Sequence, residues 1–148
     1  MSSWIGMPSL EELDQYESFV YLIENNDPES KHYGYRYIGL KSLWTRAAIT
    51  TKSSPWGAKG EKVKRPSDYE TYQGSNKTVQ GWSKVKKKVL VLCKTPFEGR
   101  YREAEAIIKT GALLKVRYMN HLLSRENIGS PSKELKIPYE RGTDLLEQ

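Results

Sequence analysis

Two β-prone runs separated by a polar turn dominate the first third of this 148-residue chain. The first run covers residues 19–24, and the second covers residues 35–44. Residues 25–30 between them are rich in residues that favour turns. The pattern therefore predicts a β-hairpin, with Tyr21 in the middle of the first strand and Tyr37 near the end of the second.

Gly39 follows closely after Tyr37. We expect the chain to leave the second strand there, at a position where a missing side chain permits the close approach of another group. Because Tyr21 and Tyr37 lie on paired strands, their rings can share one face of the hairpin. A phenol on such a face can hydrogen-bond a water molecule or a phosphate, although tyrosine is also an ordinary strand residue.

The rest of the sequence predicts one further strand and several helices. An unbroken apolar run at residues 89–93 is typical of a central strand, covered on both faces, and we expect it to pair with the hairpin. A helix is predicted to begin after Thr95, a natural N-cap, and to stop by Gly111. Shorter helices are predicted over residues 10–16, 42–50 and 78–85.

These elements predict an α/β (α+β) fold, in which a small three-stranded, mainly antiparallel sheet is flanked by helices. The length suffices for one domain with a real core. We predict an N-terminal extension at residues 1–18, the main domain at residues 19–123 and a C-terminal tail at residues 124–148.

Two glutamates lie beside the apolar face of the predicted long helix. Ala104, Ile107 and Ile108 form that face at helical spacing, Glu103 borders it, and Glu105 lies further outward. A carboxylate at the edge of a buried helix face can hold a divalent cation against the sheet. An isolated helix glutamate is more often simply solvated.

Basic residues concentrate in residues 52–66, which have no hydrophobic period and which we predict to be a loop. Trp44 and Trp56 lie nearby, and cations beside aromatic rings suit contact with phosphates and stacking on bases. The net charge of +6 also favours a polyanionic partner, although a solvated insertion is the alternative. The candidate phosphate contacts in this segment are Lys59, Lys62, Lys64 and Arg65.

A second candidate phosphate site precedes a predicted helix. Tyr72 is followed by Gly74, which suits a tight turn, and by Ser75 or Asn76, either of which can cap the helix. Lys77 adds a cation to this turn, and the combination attracts anions. A capped turn without a ligand fits the spacing equally well.

Several other chemistries are excluded. The single cysteine, Cys93, which we expect to be buried, excludes an intrachain disulfide and a multi-cysteine zinc site. No Walker loop or dinucleotide-binding glycine pattern occurs. Because the sequence has no signal peptide and no run of about 18 apolar residues, we expect a cytoplasmic protein with no membrane partner.

In their order along residues 19–121, these features resemble the GIY-YIG nuclease family. Tyr37-Ile38-Gly39 matches the second half-motif, and Phe19-Val20-Tyr21 retains the tyrosine of the first. Residues 72–77 are similar to the Tyr-Tyr-Gly-Ser-x-Lys segment of phage-type members. The chain departs from the family where Phe19 and Val20 replace glycine and isoleucine, and where a histidine is missing from the middle of the sequence.

The resemblance implies a DNA endonuclease that hydrolyses phosphodiester bonds with one Mg²⁺ or Mn²⁺ ion, in the host cytoplasm if a phage encodes it. Tyr21 would orient or deprotonate the attacking water, within reach of Tyr37. Glu103 matches the place of the metal-binding glutamate, with Glu105 as its rival.

Further roles follow from the same resemblance. Arg46 or Lys41 would clamp the scissile phosphate, and Asn120 would support the site through hydrogen bonds. Tyr72 would take over proton handling from the missing histidine, as a lysine or a water also could. Ser75 and Lys77 would hold backbone phosphates.

Two alternatives and the oligomeric state stay open. The chain could be a nucleic-acid-binding protein without catalysis, built on a decayed nuclease scaffold, which the departures from the family favour. It could also be a phage accessory protein that binds another protein. Either a monomer or a weak dimer is compatible with the sequence.

Overall fold

The computed structural model describes residues 2–48 and 62–121. They form an α+β fold with a three-stranded antiparallel sheet of order β2-β1-β5, which confirms the predicted class, and a separate antiparallel pair, β3-β4. The elements in chain order are α1 (Leu10–Leu13), β1 (Ser18–Asn25), β2 (Arg36–Ser42), β3 (Trp44–Ala48), β4 (Lys62–Pro66), α2 (Lys77–Gln80), β5 (Val85–Cys93) and α3 (Pro96–Thr110).

Strand β1 is the centre of the larger sheet because both of its faces are apolar. Phe19, Val20 and Ile23 are fully buried, and β1 pairs with β2 on one side and with β5 on the other. The prediction that residues 89–93 form the central strand is therefore wrong. In the described part of the chain β5 takes an outer position, and its Leu90 is 40% exposed.

The two faces of the sheet bury separate hydrophobic clusters. On one face Phe19, Tyr21 and Ile23 are covered by Trp4 and Leu13 from the N-terminal residues. The predicted boundary after residue 18 stays a prediction. Helix α3 covers the other face, where the buried cluster consists of Val20, Ile38, Cys93, Ile107 and Ala112. Cys93 is thus buried as predicted, and its burial raises the pKa of the thiol to about 12.

Helix α3 has the predicted ends. Thr95 Oγ1 accepts a hydrogen bond from the Glu98 N–H at 3.1 Å, and Gly111 ends the helix in the left-handed region at φ 68°. Ile107 is buried as predicted, but Ile108 is 65% exposed, because neighbouring helix positions point about 100° apart.

The helix predicted over residues 42–50 is wrong, because residues 44–48 form strand β3. The end of the loop predicted over residues 52–66 is also wrong, because residues 62–66 form its partner, β4. Pairing between distant segments overrides weak local propensity here. Residues 49–61, with Lys59 and Trp56, and the predicted tail at residues 124–148 lie outside the described residues.

The helices predicted over residues 10–16 and 78–85 are both shorter than expected. Helix α2 begins after Asn76, whose side chain accepts hydrogen bonds from two backbone N–H groups, and Gly81 caps its end. Asn76 rather than Ser75 is therefore the cap. Within the described ranges no helix is long and apolar enough to cross a membrane.

Candidate active site

Strands β1 and β2 place Tyr21 directly over Gly39. The two residues lie opposite each other in the strand register, and Tyr21 is 1% exposed. A Cβ atom added to Gly39 would overlap the Tyr21 hydroxyl oxygen, so the missing side chain permits the close approach expected at this glycine. Gly39 lies inside β2 rather than at its end, so the predicted chain exit there is wrong.

Tyr37 lies on the same face of the sheet as Tyr21, near the start of β2 rather than near its end. Their ring centroids are 6.3 Å apart, and the Tyr37 hydroxyl is 3.0 Å from Ser75 Oγ. Gly74 has a left-handed φ of 85°, and a Cβ atom there would lie 3.4 Å from the Tyr37 ring and 3.5 Å from the Tyr21 hydroxyl. The turn at Gly74 thus closes over both phenols.

A third phenol, from Tyr72, completes this group. Its ring centroid lies 6.0 Å from that of Tyr21, and the two side chains share a hydrogen bond. The Lys41 ammonium lies 4.4 Å from the centroid of the Tyr72 ring and 2.6 Å from Asp68 Oδ1. We call Tyr21, Tyr37 and Tyr72 the tyrosine cluster, and the structure brings Lys41 to its edge.

The tyrosine cluster changes the acid–base properties of Tyr21. Burial raises the pKa of its phenol well above the ordinary value, and the neighbouring Tyr72 and Tyr37 phenols raise it further. The hydrogen bond to Tyr72 also raises the pKa of Tyr21. Tyr21 therefore keeps its proton at neutral pH and offers its oxygen lone pairs as acceptors.

Glu103 on α3 is half-buried, and burial raises the pKa of its carboxyl group from 4.5 to about 7. Its negative charge contributes to the raised pKa of Tyr21, so the carboxylate lies within electrostatic reach of the tyrosine cluster. Glu105 differs, because its carboxylate pairs with Arg102 at 3.1 Å and with Lys109 at 3.8 Å. Within the described chain the Glu103 carboxylate has no such partner.

The positions of the acidic side chains in the described residues limit the kind of metal site that they could form. Among residues 2–48 and 62–121 no group of three or more His, Cys, Asp or Glu side chains could hold a metal ion. A single carboxylate fits Mg²⁺, which keeps several waters and is often held by one carboxylate together with substrate phosphates. Glu103, whose carboxylate is not neutralised by a neighbouring cation, suits that role better than Glu105.

Asn120 binds the backbone of β2, the strand that carries Tyr37 and Gly39. Its side chain is buried, with Oδ1 accepting from the Ile38 N–H at 3.0 Å and Nδ2 donating to the Ile38 carbonyl at 2.7 Å. Ile38 lies between Tyr37 and Gly39 on β2, so these bonds fix the strand that carries both residues. The amide thereby satisfies two backbone groups that a neighbouring strand would otherwise satisfy.

Two of the other candidate phosphate contacts, Arg46 and Lys64, pair with carboxylates outside the tyrosine cluster. Arg46 makes two hydrogen bonds to the Glu17 carboxylate, at 2.9 and 3.2 Å. Lys64 pairs with Asp14 at 2.8 Å and lies 4.2 Å from the centroid of the Trp44 ring. Both cations therefore attach the β3-β4 pair to the segment before β1. Exposed side chains are found at Arg65, Ser75 and Lys77, and the Lys62 side chain, like Lys59, is outside the described set.

A family model described as "Putative endonuclease segE, GIY-YIG domain" matches residues 4–123. This chain belongs to the GIY-YIG family. The match confirms the resemblance found in the sequence and identifies the chain as a phage-type GIY-YIG endonuclease homologue. No curated protein and no solved structure matched the chain in the corresponding comparisons.

The departure from the first GIY-YIG half-motif falls on buried positions. Phe19 and Val20 are both 0% exposed, on opposite faces of β1. Phe19 packs edge-on against Trp4, with ring centroids 5.0 Å apart, and against Tyr69 at 6.2 Å. These side chains therefore build the core of the sheet at the positions where the first half-motif departs from the family.

Sequence reasoning missed two residues that support the GIY-YIG site. Asp68, which pairs with Lys41, carries no sequence signal that separates it from other loop aspartates. Lys87 lies between two exposed lysines, yet it is 8% exposed. A signal was present, because period-2 alternation places Lys87 on the same side of the strand as Val85 and Val89.

Proposed function

We propose that this GIY-YIG domain is a phage-encoded, divalent-metal-dependent endonuclease that hydrolyses phosphodiester bonds in DNA. The observation that carries the proposal is the convergence of three phenols over Gly39 and Gly74, within electrostatic reach of the Glu103 carboxylate. Phenols beside a turn with an exposed Ser75 hydroxyl suit the orientation of water and phosphate oxygens. The phage origin is supported by the similarity of residues 72–77 to phage-type members.

Tyr21 orients the attacking water rather than deprotonating it. The raised pKa of Tyr21 opposes loss of its proton. The oxygen lone pairs are still able to accept a hydrogen bond from a water. Tyr37 and Ser75, which share a hydrogen bond, provide the neighbouring hydroxyls for a phosphate oxygen.

Lys41 is the better candidate for the phosphate clamp. Its ammonium already lies beside Tyr72, and the side chain of its partner Asp68 is exposed, so a substrate phosphate can take the place of Asp68 at the ammonium. Arg46 has its guanidinium engaged by Glu17 in two hydrogen bonds. The exposed Ser75 and Lys77 extend the contact to a neighbouring backbone phosphate.

Glu103 would hold the Mg²⁺ or Mn²⁺ ion. A bound divalent ion supplies stabilisation of the negative charge that develops on the scissile phosphate and the leaving oxygen. The chain itself contributes a carboxylate on a capped helix and phenols on a buried sheet. The helix and the sheet are both rigid, and hydrolysis requires the catalytic groups to be held in a fixed orientation.

The test is cleavage of supercoiled plasmid by purified protein with Mg²⁺, Mn²⁺ or EDTA. We expect metal-dependent nicking that is lost in Tyr21→Phe and Glu103→Gln. Tyr33→Phe, on an exposed surface tyrosine, and Glu105→Gln, two residues from Glu103, are the matched controls. Loss of nicking in Glu105→Gln with retention in Glu103→Gln would move the metal site to Glu105.

DNA binding without cleavage is the second candidate, favoured by the lack of any histidine between His32 and His121. A wild-type protein that shifts DNA on a gel but does not cut several DNA forms with either metal would establish it. Binding that does not weaken steeply as salt rises would instead favour the protein-binding accessory role, because phosphate contacts release counterions.

A further inference from the structure

Lys87 places a lysine ammonium in the interior of the molecule. It lies in the middle of β5, opposite Ile23, on the face that carries the tyrosine cluster. Its neighbours Lys86 and Lys88 are exposed, whereas Lys87 is 8% exposed. Burial lowers the pKa of Lys87, and the Glu70 carboxylate partly opposes that effect. Because a charged group is rarely buried without partners, its contacts indicate its role.

Both hydrogen-bond acceptors of Lys87 lie in the short segment that ends at Tyr72. Its Nζ donates to the backbone carbonyls of Glu70 and Tyr72, each at 3.0 Å, and lies 4.4 Å from the centroid of the Trp4 ring. Trp4 Nε1 donates to the Tyr69 carbonyl at 2.6 Å. The buried Lys87 and Trp4 side chains therefore donate hydrogen bonds to three backbone carbonyls of residues 69–72.

The same segment is also held from its solvent side. Ser2 Oγ donates to a Glu70 carboxylate oxygen at 2.7 Å, and Ser3 Oγ donates to the Glu70 carbonyl at 2.6 Å. The segment forms a turn of its own, in which the Tyr72 N–H donates to the Asp68 carbonyl at 3.1 Å and to the Tyr69 carbonyl at 3.3 Å. The side-chain contacts hold this turn against the sheet.

We propose that Lys87 is a positioning residue of the endonuclease, which fixes the Tyr72 ring against Tyr21 and beside Lys41 by holding the Tyr72 carbonyl. This inference rests on the proposed function. Without the ammonium, the Tyr72 carbonyl loses its side-chain donor, whereas the Glu70 carbonyl keeps the bond from Ser3 Oγ, and the Tyr72 end of the segment shifts towards other donors such as water. The Tyr72 hydroxyl then leaves the Tyr21 O–H, and Tyr21 no longer presents its lone pairs in one direction.

The first test compares Lys87→Met with Lys88→Met. Both changes remove one positive charge from β5, so they reduce any long-range attraction for DNA equally. We expect kcat to fall roughly 10-fold in Lys87→Met, with KM and the Kd for DNA close to those of Lys88→Met. Equal kcat in the two variants would overturn the proposal, and so would a loss that appears only in KM.

A double-mutant cycle separates positioning of Tyr72 from a general loss of structure. If Lys87 acts through the Tyr72 hydroxyl, Lys87→Met lowers kcat in the wild type but has little further effect in Tyr72→Phe. If the fold-losses in kcat of the two single variants multiply in the double variant, Lys87 acts elsewhere. If Lys87→Met does not fold, Trp4→Phe replaces it in the double-mutant cycle with Tyr72→Phe. This change keeps an aromatic ring but removes the hydrogen bond to the Tyr69 carbonyl.

A readout independent of cleavage distinguishes this proposal from the proposed function. Tyrosine rings labelled with ¹³C report the surroundings of Tyr21 and Tyr72 by NMR, with assignments from the Tyr→Phe variants. We expect both resonances to move in Lys87→Met and to stay in place in Lys88→Met. Unchanged resonances would overturn the positioning role even in an active enzyme. Moved resonances in a protein that never cuts DNA would support it while the nuclease function fails.

Discussion

Replacing Glu103 by glutamine is expected to stabilise the metal-free protein at alkaline pH while abolishing cleavage. Burial raises the pKa of this carboxyl group from 4.5 to about 7, so the folded protein holds the proton more tightly than the unfolded chain does. The stability that this proton contributes is fully present below pH 4.5 and is lost as the pH rises to about 7. Glutamine keeps the shape of the protonated side chain and never ionises.

The size of the effect follows from the pKa difference. At about 1.4 kcal/mol for each pKa unit, a rise from 4.5 to about 7 corresponds to an upper limit of about 3 kcal/mol. Because Glu103 is only half-buried, solvent screening reduces the expected difference to about 1–2 kcal/mol. The excess in free energy of unfolding of Glu103→Gln over the wild type should therefore be smallest at pH 5 and reach that amount at pH 8.

The assay is urea denaturation at pH 5, 6, 7 and 8, in EDTA so that no metal binds the carboxylate. Glu105→Gln is the matched control, because its carboxylate pairs with Arg102 and Lys109 on the surface and should give a difference that is nearly constant over this range. A Glu103→Gln curve parallel to the wild-type curve at all four pH values would refute the argument. It would mean that water reaches the carboxylate freely.

Three further changes test the support of the site. Gly39→Ala places a methyl group on the Tyr21 hydroxyl, so we expect at least a roughly 10-fold loss of plasmid cleavage, and an unchanged rate would show that Tyr21 moves at no cost. Asn120→Ala leaves a buried N–H and a buried carbonyl of β2 without partners and should lower the free energy of unfolding by about 2–4 kcal/mol in urea titrations; a loss below about 0.5 kcal/mol would contradict this. Lys41→Ala should lower kcat/KM for cleavage far more than Arg46→Ala, and the reverse order would assign the phosphate clamp to Arg46.

Local signals in the sequence predicted the parts of the fold that depend on neighbouring residues. The cap at Thr95, the left-handed stop at Gly111 and the close approach at Gly39 were all predicted, because each depends on one residue type with one conformational property. The helix expected around Arg46 is instead a strand. Its pairing with residues 62–66 is a long-range contact that no short window of sequence contains.

The candidate site also combines features that local sequence predicts with contacts that it does not predict. Tyr21 and Tyr37 share a face because strands alternate with period two, and this was predictable from the hairpin alone. The pairing of Lys41 with Asp68 and the inward Lys87 depend on how a loop returns across the sheet. Such contacts follow from tertiary packing, so residue type and spacing do not reveal them.

Burial acts on two acidic groups of the site with opposite consequences for the chemistry. It raises the pKa of Tyr21 so far that the phenol stays protonated at neutral pH, which removes Tyr21 as a base and leaves it as an acceptor for water. The pKa of Glu103 rises only to about 7, so its carboxylate still ionises near neutral pH and remains available as a ligand. The difference follows from their places, since Tyr21 is enclosed at the centre of the sheet and Glu103 lies at the edge of a helix. In the proposed mechanism, the neutral Tyr21 hydroxyl accepts a hydrogen bond from water at the sheet, and the ionisable Glu103 carboxylate supplies the negative charge from the helix.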